Sequence, residues 1–215
     1  MKKLFILIAV LFFSSDFFSQ EKQQKTKFTN FLANSYYSLN FGGIFYPFSN
    51  DNLIDGFQTE TFSKNRFSGR LLLGHKLSED LSVQFGTMRP ASWFKYDNVN
   101  NIGYERSVWI NAWSLSLKQD FNINKRTSFY AEAGIANLTR FGFSINDKVI
   151  YDDAHYASLL YGLGMQYWLS DKWRLSANGT FLPSSSKHNQ PSISQASLGF
   201  EYHLQQVDDK TADEY

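Results

Sequence analysis

The sequence predicts an all-β protein, an eight-stranded antiparallel transmembrane up-and-down β-barrel. Three observations carry this expectation. Apolar and polar residues alternate with period two over segments of about ten residues, the length a tilted strand needs to cross a bilayer. The connections between segments are alternately short and long, and aromatic residues gather at the segment ends.

The alternation is clearest between residues 156 and 181. Ala157, Leu159, Tyr161, Leu163, Met165 and Tyr167 share one parity, while Ser158, Gly162, Gly164 and Gln166 share the other, with Leu160 the single apolar residue among them. After a turn at 170–172, Trp173, Leu175, Ala177, Gly179 and Phe181 alternate with Arg174, Ser176, Asn178 and Thr180. Strand side chains point to opposite faces in turn, so this is a hairpin with one greasy and one polar face. The small polar face suits a barrel lumen and the aromatic-aliphatic face suits lipid.

The remaining strands follow the same rule. Residues 35–46 set Tyr37, Leu39, Phe41 and Phe45 outward against Ser38, Asn40 and Gly42. Residues 66–76 set Phe67, Leu71 and Leu73 against Arg66, Ser68, Arg70 and Gly74. Leu81, Val83, Phe85 and Thr87 oppose Ser82, Gln84 and Gly86. Trp109, Trp113, Leu115 and Leu117 oppose Ala112, Ser114, Ser116 and Lys118 within 105–119. Residues 127–141 place Phe129, Ala131, Ala133 and Ile135 against Glu132, Gly134 and Ala136. The last strand, 192–204, places Ala196, Leu198, Phe200 and Tyr202 against Gln195, Ser197, Gly199, Glu201 and His203.

Connections at 78–80, 122–126 and 170–172 are short. Those at 47–65, 89–104, 139–155 and 183–191 are longer and rich in Asn, Asp, Ser and Pro, the asymmetry of periplasmic turns against extracellular loops. Tyr46, Trp109, Phe141 and Phe181 near the long loops, and Phe121, Tyr167, Trp168 and Trp173 near the short turns, read as two interfacial girdles. Leu77-Ser78-Glu79-Asp80 and Leu169-Ser170-Asp171-Lys172 echo each other as hairpin turns.

Composition narrows the classes further. The 215 residues are 18% aromatic, carry a formal net charge of +1 and contain no cysteine. The mean hydropathy is negative, as a barrel allows because every second residue is polar. No run of about 18 apolar residues exists, which excludes a helical membrane protein. The lack of cysteine removes disulfides, soft-metal sites and a lipidated N-terminal cysteine, and the neutral balance gives no argument for nucleic acid. Residues 1–20 are expected to be a signal peptide: Lys2 and Lys3 precede an apolar core at 4–13 that is too short to span. Residues 21–34 then form a polar periplasmic lead-in, 35–204 the barrel and 205–215 a polar acidic tail.

The Glu132-Ala133-Gly134 strand, the Gly162-Leu163-Gly164 strand and the closing segment from Gln190-Pro191 to Gly199-Phe200-Glu201-Tyr202 carry a resemblance. The chain resembles the small bacterial outer-membrane proteins with an outer membrane protein beta-barrel domain. The resemblance implies an architecture and an outer-membrane location rather than one activity. Two of that group's relatives are enzymes, the lipid A deacylases and palmitoyltransferases. The deacylases carry a His-x-Ser-Asn signature, where this chain has Lys187-His188-Asn189-Gln190, so their catalytic roles do not transfer.

Candidate functional residues fall in three sets. Arg70, Glu132, Arg174 and Glu201 all lie on the polar parity, and the interior of an eight-stranded barrel is just wide enough for side chains to fill. They are expected to pair there and plug the lumen, because an unpaired buried ion is costly. Arg89, Trp93 and Tyr96 mix basic and aromatic character in a long loop and form a candidate binding surface for outer-membrane lipid, lipopolysaccharide included. Ser186, His188 and Asp153 are weak catalytic candidates, since a nucleophile, a base and an acid from two neighbouring loops could form a hydrolase site. Asp147, Asp152 and Asp153 supply oxygen ligands but no complete calcium loop, so no metal or cofactor is expected. The expected role is structural or ligand-binding through the extracellular loops, with a lipid A-modifying enzyme as the alternative.

Overall fold

The computed structural model describes residues 32, 34–49, 53, 61–63, 66–92, 94–99 and 105–204. The expected signal peptide, most of the lead-in, the acidic tail and Trp93 lie outside them. In chain order the strands are β1 (Ser35–Phe45), β2 (Thr61–Ser63), β3 (Phe67–Lys76), β4 (Leu81–Pro90), β5 (Phe94–Asp97) and β6 (Arg106–Asn122). They continue as β7 (Thr127–Phe141), β8 (Phe143–Ile145), β9 (Lys148–Tyr151), β10 (Ala154–Trp168), β11 (Trp173–Leu182) and β12 (Ile193–His203).

Eight of these close a barrel in the order β1-β3-β4-β6-β7-β10-β11-β12, every neighbour antiparallel, with β12 returning to β1. Closure follows from the pairing of Tyr36 with His203 at one end of the β1–β12 seam through to Phe45 with Ser194 at the other. It leaves no open edge in the wall, which hydrocarbon would not tolerate.

Three turns at 77–80, 123–126 and 169–172 close one end in the same way. The amides of Leu77, Ile123 and Leu169 each donate to the carbonyl of the residue four places on, at 2.8–3.0 Å. In the first two turns the Ser or Asn that follows also ties the turn: Leu81 N–H donates to Ser78 Oγ at 3.1 Å, and Arg126 and Thr127 N–H donate to Asn124 Oδ1 at 2.8 and 2.9 Å. The Leu-Ser echo seen in the sequence therefore has a third copy, Ile123-Asn124-Lys125-Arg126, hidden by its Ile and Asn.

The outward parity is apolar on every wall strand. Leu39, Phe41, Leu71, Phe85, Leu115, Ile135, Leu163, Met165 and Phe200 are all well exposed, Leu163 at 70%. A soluble protein rarely leaves so continuous an apolar surface uncovered; lipid covers this one. Trp109, Phe141 and Phe181 lie toward the long-loop end, and Phe121, Tyr167 and Trp173 toward the short turns, all exposed.

Three expectations need correction. Tyr46 is 3% exposed and belongs to an internal core rather than the girdle. Trp168 turns inward, its ring 3.7 Å from the Arg174 guanidinium, because the strand ends on the inner parity there. The long connections are also more structured than loops: β5 extends the β6 edge and bonds β2, and β8 and β9 form a hairpin with Asn146 and Asp147 at positive φ in its turn.

The face assignment is tested at Leu163. Leu163→Arg, placed on the lipid side near mid-strand, is expected to cost about 2–4 kcal/mol of folding into lipid vesicles, read by denaturant titration. No loss relative to Leu163→Phe would mean that this face does not meet lipid.

Candidate functional site

Inward side chains are buried inside the barrel in layers. Toward the short turns, Lys118 and Asp120 of β6, Gln166 of β10, Arg174 of β11 and Glu201 and His203 of β12 meet in one buried network. Lys118 Nζ lies 3.4 Å from Glu201 Oε2 and 3.7 Å from Asp120 Oδ1, and Arg174 Nη1 lies 3.4 Å from Glu201 Oε1 and 3.3 Å from Asp120 Oδ2. Gln166 donates to Glu201 at 3.1 Å, and His203 Nε2 is 2.7 Å from the same carboxylate. Glu201 is thus the shared counter-ion of two cations.

Two aromatic rings roof Lys118, with Tyr36 and Tyr130 centroids 4.9 and 5.3 Å from its Nζ. Each ring lies on a glycine directly across the ladder: Tyr36 on Gly74 and Tyr130 on Gly164. A Cβ at either glycine would overlap the ring. These glycines give the tyrosines a place to lie against the wall.

Further along, Arg70 of β3 reaches across the lumen to Glu132 of β7, strands that are not neighbours. The contact is bidentate, 2.5 and 2.9 Å, with Ser116 Oγ donating to the same carboxylate and Thr180 accepting from Arg70 at 3.1 Å. Asn40, Ser176, Asn178 and Ser197 form a neutral hydrogen-bonded belt nearby.

Toward the long loops the interior becomes apolar. Ile44, Met88, Val108, Ile110, Leu138, Leu160, Leu182 and Ile193 pack from the wall against Phe48, Phe94, Tyr96, Ile150 and Tyr151 from the outer segments. Only Leu160 departed visibly from the polar parity in the clearest hairpin. The inner face is therefore polar over part of its height and a hydrophobic core over the rest.

At the outer rim, Arg140 is 1% exposed, and among the described residues no carboxylate pairs with it. Its guanidinium donates to the Asp152 carbonyl at 2.9 and 3.1 Å, the Asn189 carbonyl at 3.1 Å, Gln190 Oε1 at 3.0 Å and the Tyr151 hydroxyl at 3.2 Å. One side chain thereby joins the segment after the β8–β9 hairpin to the segment between β11 and β12. That second segment carries a short 3₁₀ turn at Ser186–His188, closed by Asn189 in the left-handed region. Burial pushes the Tyr151 and Tyr96 hydroxyls well above their ordinary range, so both stay neutral partners here. Above Arg140 lies an open pocket of about 700 Å³ between the two segments.

The catalytic candidates Ser186, His188 and Asp153 all line this pocket. Asp153 Oδ1 accepts from the Gly142 amide at 2.8 Å, and the His188 ring stacks face to face on Tyr156 with centroids 4.4 Å apart. No hydrogen bond links the three among the described residues. The loop surface is corrected in one member. Arg89 is exposed on the outer wall opposite Gly69, but Tyr96 is fully buried and its hydroxyl donates to the Ser49 carbonyl at 3.0 Å. The strand β5 turns its even positions, Phe94 and Tyr96, into the core. Sequence reasoning missed Arg140 and Asp120, and placed Lys118 on the inner face without counting it among the lumen charges. Asp120 sits two places on from Lys118 on the inner parity of β6, a signal available in the alternation; Arg140 sits there on β7, but its partners are mostly backbone carbonyls.

The two lumen pairs should respond differently to truncation. Glu132→Ala leaves Arg70 with no carboxylate and is expected to cost about 3–5 kcal/mol. Glu201→Ala should cost less, because Asp120 still faces both Lys118 and Arg174. Denaturant titration of the two variants decides it; a larger loss for Glu201→Ala would mean that Asp120 does not share the charge.

No protein-family model and no curated protein sequence matches the chain. Solved structures do. Neisserial surface protein A aligns with a TM-score of 0.51 at 14% identity, covering 79% of this chain and 97% of that one. The N-terminal β-barrel domain of Pseudomonas aeruginosa OprF aligns at 0.50 and 16%, covering 79% and 96%. The outer membrane protein OprG from Pseudomonas aeruginosa aligns at 0.50 and 12%, covering 80% and 98%. The chain has the fold of these small outer-membrane β-barrels.

Proposed function

We propose that this protein is an outer-membrane barrel with a plugged lumen, acting as a structural or ligand-binding element through its outer rim. The observation that supports this reading is the burial of inward side chains along the height of the barrel. Three buried cations, Arg70, Lys118 and Arg174, face three carboxylates, Asp120, Glu132 and Glu201, and an apolar core lies between them and the outside. A conducting path would need a continuous polar channel, as larger barrels leave, and the apolar layer toward the long loops argues against one here.

The partner that follows from the reading is outer-membrane lipid. Arg89 stands exposed on the wall near the Phe41–Phe67 ring pair, where a guanidinium can meet a lipid phosphate, in lipopolysaccharide or another anionic lipid, and the rings its acyl chains. A lipid A-modifying activity is the weaker reading, since Asp153 and His188 are engaged elsewhere rather than relayed to Ser186.

Two measurements test it. Purified protein in a planar bilayer is expected to give no steady channel; a stable open conductance would overturn the plug. Trypsin added to intact cells is expected to cleave in the rim segments carrying Lys148 and Lys187 and to spare Lys125, Arg126 and Lys172 in the short turns. Cleavage confined to the short turns would reverse the orientation.

A further inference from the structure

We infer that the rim pocket above Arg140 is a binding site for a neutral saccharide. The inference rests on the reading of a closed barrel that works through its outer rim, and it names the ligand class of that rim.

The pocket's size, about 700 Å³, lies within the range of small-molecule sites, about 300–1,000 Å³. Its charges balance. Arg140 and Lys187 contribute two cations, and Asp152 and Asp153 two carboxylates, all lining the same space. An anionic ligand would meet the carboxylates and a cationic one the Arg140–Lys187 pair, so neither is favoured by the summed field.

What remains is an interleaved set of donors and acceptors. The Asp152 carboxylate only accepts, Lys187 only donates, and Ser144, Ser186 and Asn189 do both. A sugar hydroxyl also does both, and several on one ring match such a mixture better than a group of fixed polarity does. The His188 ring, held flat by its stacking on Tyr156, lines the pocket and is suited to the C–H face of a pyranose.

The floor is built before any ligand arrives. Arg140 spends its hydrogen bonds on the Asp152 and Asn189 carbonyls and on Gln190, so the two walls are held at a set separation. Preorganisation of this kind lowers the ordering cost of binding. Arg140 is a positioning residue here; Asp152, Asn189 and Ser186 carry the contacts.

The test uses the full chain in lipid nanodiscs and saturation-transfer NMR with three probes, maltotriose, lactose and N,N′-diacetylchitobiose. Transfer to at least one probe is expected, without displacement by an equal concentration of inorganic phosphate. Asp152→Asn keeps the backbone carbonyl that holds Arg140 and removes the charged acceptor; it should weaken binding about tenfold or more. Ser186→Trp, at an exposed position on the wall, should abolish binding by filling the space, and heat-modifiable gel mobility reports whether either variant is folded. No transfer to any probe, transfer unchanged in both folded variants, or displacement by phosphate would each overturn the proposal. Conductance of the same preparation decides the closed-lumen reading separately, since an open channel would sink that reading whether or not sugar binds.

Discussion

Closure of the backbone ladder is the constraint on which the rest depends. In hydrocarbon an unpaired amide or carbonyl has no water to turn to, so each wall strand must bond on both sides. The β1–β12 pairing achieves this by joining the first wall strand to the last, while β3–β4, β6–β7 and β10–β11 pair as hairpins about the short turns. Once the wall is closed at eight strands, its bore is set, and inward side chains from opposite strands meet across it, as Arg70 and Glu132 do. The Tyr36–Gly74 and Tyr130–Gly164 pairs follow from this shortage of space, because a ring can lie along the wall only where the facing residue has no Cβ.

The buried inward side chains differ in character at the two ends. Toward the short turns the interior is ionic, and every buried charge there has a counter-ion, which is what low dielectric demands. The network is not a set of isolated pairs: Glu201 serves Lys118, Arg174 and His203, and Asp120 serves both cations a second time. Toward the long loops the same strands bury Ile110, Leu138, Leu160 and Leu182 against Phe94, Tyr96 and Tyr151. That outer part is packed like the core of a water-soluble β-protein, and it anchors segments that sequence alone reads as loops.

Arg140 links these levels. It lies at the upper end of β7 on the inner parity, beyond the apolar core, and its guanidinium satisfies carbonyls from two outer segments at once. Its stacking on Tyr151, 4.3 Å from the ring centroid, ties that junction to the core beneath. The rim pocket owes its shape to this one buried side chain, and the residues that line it come from chain segments far apart in sequence.

Much of the wall is legible in the sequence. Period-two alternation placed Leu163 outward and Arg70, Glu132, Arg174 and Glu201 inward, because a strand leaves a side chain only two directions. Turn and loop lengths separated the two ends. Which inward charges meet was beyond the sequence, since Arg70 and Glu132 sit on strands that touch only across the closed bore. Tyr46 was misread as surface because at the top of β1 both parities are apolar, and alternation stops distinguishing lipid from core; Tyr96 was misread because its segment, Phe94–Asp97, reads as part of a long loop although it alternates. Arg140 stayed hidden because main-chain carbonyls leave no mark in a residue pattern; only the tertiary structure brings Asp152 and Asn189 to the same guanidinium.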